Sequence, residues 1–428
     1  MKKILILSVT VAAFASCTKT SFTPATVSSG NADFTTFISV GNSLTQGYMD
    51  GGLYAYGQLN SYPAILAKQM AMAQPKPSTF YIEPMTTGNG SGYIHLAYVN
   101  GQIAPIQPTD STYTNPTGPD PSWTNWGASL QSTNFNNLGI SGIRLTDCVA
   151  LTANEKIINQ IVNGSNPMGR YMNFGGSEPQ YIDHIRSSKA TFFTDWLGSN
   201  DVLGYATNGG SLSIAFGDTL NGITAPSIFA AKYDSILAAF NKLGAKGICM
   251  TIPNVTSIPY FNTVPPYVVV NGSRKYFYIR TAKGIRQATD YDYILLTAYD
   301  SVQGGWGSSA AKPLTNDLVL DSSEARLVLN ATLQYNASIK SLAAKYGFGV
   351  VDIFTFFSTF QSSVNIDGIS FTRTFIQGGT FGLDGIHPNA RGHAVVANQI
   401  IMAINATYQS TLPMVDLTKY KAVTFPTF

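Results

Sequence analysis

The chain has 428 residues, enough for one large domain with insertions or for two domains, and carries 26 Lys and Arg against 23 Asp and Glu, a net charge of +3. Charged residues make up only 11% of it and gather in no basic run or stripe, so the sequence gives a nucleic-acid role no support. Tyr, Phe, Asn, Thr, Ser and Gly abound instead, a composition that suits a secreted protein with broad polar and aromatic surfaces.

At the start, Lys2 and Lys3 precede an apolar run from Ile4 to Phe14, and Ala15-Ser16 lead to Cys17. The run is too short for a bilayer span and reads as a secretory signal. The small residues before Cys17 look like a bacterial lipobox, with Phe14 where Leu is usual. Residues 1–16 are therefore expected to be removed and Cys17 to be lipidated, anchoring an exported protein to a bacterial membrane. An ordinary cleaved signal with a coincidental cysteine is the other reading. Residues 17–33 are rich in Ser, Thr, Pro and Gly and lack periodicity, which predicts a flexible tether reaching some ~20 Å.

The folded part is expected over 34–428. Five apolar runs read as buried parallel strands: Phe34 to Val40, Thr133 to Leu138, Ala190 to Leu197, Gly247 to Ile252 and Phe348 to Ile353. Helical patterns cover Tyr62 to Ala73, Pro226 to Leu243, Ser323 to Tyr346 and Ala390 to Thr407. Asp321 and Ser322 offer N-cap oxygens to the third helix, and Gly347 closes it. This alternation predicts an α/β fold, a three-layer α/β/α sandwich. Insertions at about 80–130 and 254–320 exceed what such a sandwich needs. Asn271-Gly272 and Asp367-Gly368 each sit between β-rich runs and predict hairpins. The insertions are read either as a lid or wall over the site or as decoration covering sheet edges.

In open α/β sheets, chemistry gathers at the carboxyl ends of the strands. Three glycine-containing motifs fall there: Gly41-Asn42-Ser43, Gly139-Ile140-Ser141-Gly142 and Gly198-Ser199-Asn200-Asp201. Near the end comes Asp384-Gly385-Ile386-His387-Pro388. A serine hydroxyl is a poor nucleophile without an imidazole to take its proton and a carboxylate to hold that imidazole in one tautomer. An Asp three residues before a His can place both on one turn, so Ser43, His387 and Asp384 are candidate catalytic residues. The backbone N–H groups of Ser43 and Gly142 and the side-chain amide of Asn200 are candidate oxyanion donors.

With these blocks in order, the chain resembles the SGNH, or GDSL, hydrolase family. The resemblance implies a flavodoxin-like, five-stranded parallel sheet and ester hydrolysis without a cofactor. It also implies Ser43 as nucleophile, His387 as general base, Asp384 as its partner, and Ser43, Gly142 and Asn200 as the oxyanion hole. Asn42 stands where the family usually has aspartate, and altered local hydrogen bonding is the expected consequence. No Gly-x-Ser-x-Gly elbow of the α/β-hydrolase kind occurs.

Of the other histidines, His393 is expected to pack or hydrogen-bond on the last helix, His184 to be structural or exposed, and His95 to be an exposed loop residue or a substrate contact. Asp195 interrupts the third apolar run and needs a partner if buried. Cys148 and Cys249 read as buried free thiols. The sequence holds no CxxC, HExxH or clustered His/Cys ligand set, and no metal site is expected. The substrate is expected to be a carboxylic ester of the lipase or esterase kind, or an O-acetylated polysaccharide. A non-catalytic surface lipoprotein that binds glycans or lipids is the rival from another class.

Overall fold

A computed structural model describes residues 26–74, 81–111, 116–127, 130, 134–172, 179–210 and 222–426. Cys17, the signal segment and the first part of the tether lie outside these residues.

Five parallel strands form the central sheet: β1 (Phe37–Gly41), β2 (Asn137–Gly139), β3 (Phe192–Trp196), β4 (Lys246–Met250) and β5 (Gly349–Val351), in the spatial order β5-β4-β3-β1-β2. Register pairs Ser39 with Asn137 on one side of β1 and Phe37 with Phe192 on the other. A sheet buried on both faces selects near-continuous apolar strands, which is why these runs were readable. Helices α2 (Tyr62–Ala73) and α6 (Ala390–Tyr408) pack together on one face, and α4 (Pro226–Lys242) and α5 (Ser322–Tyr346) on the other. The three-layer sandwich is therefore as expected. Asp321 caps α5 through a capping box with Glu324, and Gly347 ends it in the left-handed conformation.

Two expectations change, and one left open is narrowed. The second strand runs Asn137–Gly139, later than Thr133 to Leu138, of which Thr133 lies outside the described residues. Just before it the Asn136 carbonyl accepts the Ser39 N–H at 2.9 Å while its side chain ties the Ile82 N–H to the Phe37 carbonyl. The end of the tether is not free. Ser28 and Asn31 bond to Thr411 and Tyr408, and Phe34 is fully buried in the core. The Asn271-Gly272 hairpin forms, pairing Tyr267–Val270 with Ser273–Tyr276, but it does not line the cavity beside Ser43. It belongs to a satellite with its own small core, which includes Phe277, Ile279, Ile294 and Leu314.

Asp367-Gly368 also turns a hairpin, between Val364–Ile366 and Ile369–Phe371. Cys148 and Cys249 are buried free thiols. Asp195 sits within β3, fully buried. Its Oδ1 accepts the Leu197 N–H at 3.1 Å, and burial pushes its carboxyl up to about 7. Its Oδ2 is buried without a hydrogen-bond partner among the described residues, and the raised value lets protonation stand in for the ion partner it lacks.

Candidate active site

Strand β1 ends at Gly41, and Asn42 opens a single-turn helix, α1 (Ser43–Gln46). The Asn42 Oδ1 accepts the Leu44 N–H at 3.1 Å and its carbonyl accepts from Thr45 and Gln46. Ser43 is thus fixed at the first helical position, with its N–H outside the intrahelical ladder.

From the far end of the chain, the loop before α6 brings the other two groups. His387 Nε2 lies 2.8 Å from Ser43 Oγ, and its Nδ1 lies 2.7 Å from Asp384 Oδ2. The Asp384–His387 turn is locked by the Ile386 and His387 N–H groups, which donate to Asp384 Oδ1 at 2.8 and 2.9 Å. Gly385 takes φ +70° within it, and a Cβ there would press on Leu296 and the Tyr260 backbone. Burial pushes the Asp384 carboxyl up, but the His387 charge and hydrogen bond, with the two amides, hold it below the usual carboxylate range. An ionised Asp384 makes Nδ1 the protonated nitrogen and leaves Nε2 free to accept the serine proton.

Helix α3 (Asn200–Thr207) carries Asn200 into the same cavity as Ser43. One Asn200 amide proton goes to the Ile143 carbonyl at 2.9 Å, which ties the loop after β2 to α3 and leaves the second proton unspent. Asp201 reinforces that tie, accepting from the Leu145 N–H at 2.7 Å and the Thr224 hydroxyl at 2.7 Å. Gly142 stands on this loop with φ +82°, but it is not among the residues lining the cavity.

The cavity beside Ser43 measures about 40 Å³, and its walls are mostly apolar: Trp196, Leu203, Val255, Ile258, Phe357 and Phe381. Only the first residues of the second insertion reach it. The first insertion packs behind Asp384 instead, through the Ile94 N–H to the Asp50 carbonyl at 2.8 Å.

A family model described as GDSL-like Lipase/Acylhydrolase matches residues 38–400. The chain belongs to that family. No curated protein matches this GDSL-like hydrolase.

Among solved structures, it is similar to an α/β-hydrolase enzyme from the metagenome of Lake Arreo, Spain (13% identity, 88% of this chain and 97% of the other, TM-score 0.36). It is also similar to a mutant of an acetyl-xylooligosaccharide esterase from Geobacillus Stearmophilus (12% identity, 88% and 96%, TM-score 0.37). A third is an SGNH hydrolase described for Slackia heliotrinireducens (12% identity, 87% and 100%, TM-score 0.29).

Within this GDSL-like chain, Asn42 keeps the capping role with its oxygen while its Nδ2 is buried without a hydrogen bond among the described residues. The sequence reading missed Tyr48, Asp50 and Gly51. The Tyr48 ring lies 4.8 Å from that of His387. Gly51, at φ +74°, donates its N–H to Asp384 Oδ2 at 2.9 Å, and Asp50 Oδ1 accepts the Leu383 N–H at 2.7 Å. Asp50-Gly51 is itself a tight-turn dipeptide, a signal present just after the serine block.

His393 is buried on α6, where its Nδ1 accepts the Tyr62 N–H at 3.3 Å, and His184 is half-buried on the short helix Tyr181–Ser187. Neither touches the site. Among the described residues, no group of three or more His, Cys, Asp or Glu side chains is placed to hold a metal ion.

Proposed function

We propose that the chain is a serine esterase that forms an acyl-enzyme on Ser43 and prefers short acyl groups. The observation that carries this is the unbroken relay from Asp384 through His387 to Ser43, at 2.7 and 2.8 Å, opening onto a small apolar cavity. In the first half-reaction the Ser43 oxygen bonds to the ester carbonyl carbon as its proton passes to His387 Nε2. The imidazolium then returns that proton to the departing alcohol. Water, activated by the same nitrogen, releases the acid. The Ser43 N–H and the Asn200 amide, both on the cavity wall, are the proposed donors to the developing oxyanion, and the Gly142 N–H, on the loop behind that wall, is the third the family resemblance implies.

The size of the cavity supports the short-acyl preference. A cavity needs roughly 10–15 Å³ to hold one water, so the space beside Ser43 suits an acetyl-sized group better than a long chain. O-acetylated polysaccharide is then favoured over lipid as the natural ester.

The test is hydrolysis of p-nitrophenyl esters from acetyl to palmitoyl by the chain and by Ser43→Ala. Activity falling steeply beyond butyryl and lost in the variant is expected. Turnover rising to octanoyl or longer would replace the short-acyl reading with a lipase reading, and ligand binding without turnover would favour a binding lipoprotein. Lys2 to Cys17 support export and lipid anchoring. Cys17→Ser is expected to move the expressed protein from the membrane to the soluble fraction, and unchanged membrane association would remove the anchor from this reading.

A further inference from the structure

A second cavity, about 540 Å³, is lined by Asp50 and Leu383, the residues that tie the serine-side turn to the Asp384 loop, and shares no lining residue with the first. Its size falls within the range of small-molecule sites. Two segments that the sandwich does not need meet there, the first insertion with Tyr93 and His95 and the C-terminal tail with Lys421 and Phe425. Three tyrosine rings form one wall. Tyr54 stacks on Tyr93 with centroids 3.9 Å apart and planes 14° apart, and Tyr56 continues the stack at 6.4 Å and 21°. Phe425 and Tyr56 are substantially exposed, so apolar ring surface stands open to solvent on a wall that also carries hydrogen-bonding groups.

The polar groups are few. Asp50 takes the Tyr54 hydroxyl on Oδ2 at 2.8 Å and the Leu383 N–H on Oδ1, which leaves lone pairs on both oxygens. The Tyr93 hydroxyl has no hydrogen-bond partner among the described residues. His95 bonds Thr117 through Nδ1 at 2.8 Å, leaving Nε2 unused. Burial raises all three tyrosines above their ordinary range and lowers His95, so these are neutral donors and acceptors. The lining holds one carboxylate, Asp50, and one lysine, Lys421, a balance that recruits neither phosphate nor a polycation.

We propose that this cleft is a binding subsite for a neutral oligosaccharide, separate from the catalytic cavity. Flat aromatic faces take the C–H faces of sugar rings, and the uncharged phenols, the imidazole and the Asp50 oxygens satisfy sugar hydroxyls. A polymer held here has its other residues confined near Ser43, which raises their effective concentration without a new contact at the reacting ester. The proposal deepens the glycan-ester reading of the neighbouring site, but it is tested by binding rather than by turnover.

The experiment is calorimetric titration of full-length Ser43→Ala with unsubstituted xylo-, manno- and cello-hexaose. At least one is expected to bind with one-to-one stoichiometry. Adding Phe425→Ala, or Tyr93→Ala with an unchanged melting temperature, is expected to weaken it about tenfold. Because Phe425 lies on the surface, its replacement leaves the fold intact and keeps the test decisive. Absence of binding to all three sugars, equal binding by the variants, or binding only of anionic oligosaccharides would overturn the proposal. Binding with no hydrolysis of any acetylated oligosaccharide by the unmodified chain would sink the glycan-ester reading and leave the subsite standing.

Discussion

Ser43 and His387 are 344 residues apart in the chain and 2.8 Å apart in space, and each is held by its own short turn rather than by the other. Asn200 is held in a different way, because one of its two amide protons is committed to the Ile143 carbonyl. That bond orients the side chain so that the remaining proton is fixed before substrate arrives, and a donor fixed in advance costs no reorganisation during reaction. Asn200→Ala is therefore expected to lower kcat on p-nitrophenyl acetate by roughly 10²–10³. Asn200→Asp, similar in shape but with no donor when ionised, is expected to be no better. A loss of less than tenfold in both variants would take Asn200 out of the oxyanion hole. Asn42 illustrates the opposite case. Its capping oxygen is common to amide and carboxylate, so the departure from the family's usual aspartate leaves the turn at Ser43 intact.

At the scale of elements, the hairpin turn Met49–Gly52 is what joins the serine block to the histidine block. It closes on itself through reciprocal Met49 and Gly52 backbone bonds at 2.9 Å, and it grips the other loop twice, Gly51 N–H on Asp384 and Asp50 Oδ1 on the Leu383 N–H. Asp50→Ala removes one grip and leaves a buried N–H unpaired, so kcat is expected to fall by about tenfold as Asp384 loosens. Asp50→Asn, which retains the acceptor, is expected to restore most of it, and an Asp50→Ala enzyme as fast as the parent would show that the turn does not position Asp384. The sequence made the strands legible because burial on both faces forces apolar runs, and it made α5 legible because Asp321, Ser322 and Gly347 are capping chemistry. The candidate triad was legible because Asp-x-x-His is a local geometry. The cavity walls were not, since Leu203, Val255, Phe357 and Phe381 come from four segments and carry no local pattern. Nor was the fate of the insertions, because an Asn-Gly signal fixes a hairpin without fixing where it packs.

Across the whole molecule, folding takes up protons on carboxyls that share no site. Burial pushes Glu83 up to about 7 beside Tyr81 and Asn137, Asp195 up to about 7 within β3, and Glu324 up to about 8 at the start of α5. Each has a folded-state pKa above its unfolded value. The stability it contributes is complete below the unfolded pKa and is lost as pH rises through the folded one. His393, lowered by burial to about 3, works in the other direction, because its contribution is complete only above the ordinary histidine range and is lost as pH falls. Asp384, held low, withdraws its contribution only in strong acid. Between pH 7 and 8 an unfolded histidine is mostly neutral, Asp384 is ionised in both states, and Asp50 and Asp147, raised by burial to about 6, are largely ionised in the fold, so the most strongly raised carboxyls decide the slope. The melting temperature is therefore expected to fall by several degrees across that window, and Glu83→Gln is expected to flatten the fall by mimicking the protonated side chain. A melting temperature that is constant or rising from pH 7 to 8 would mean that these carboxyls ionise within the fold at ordinary cost.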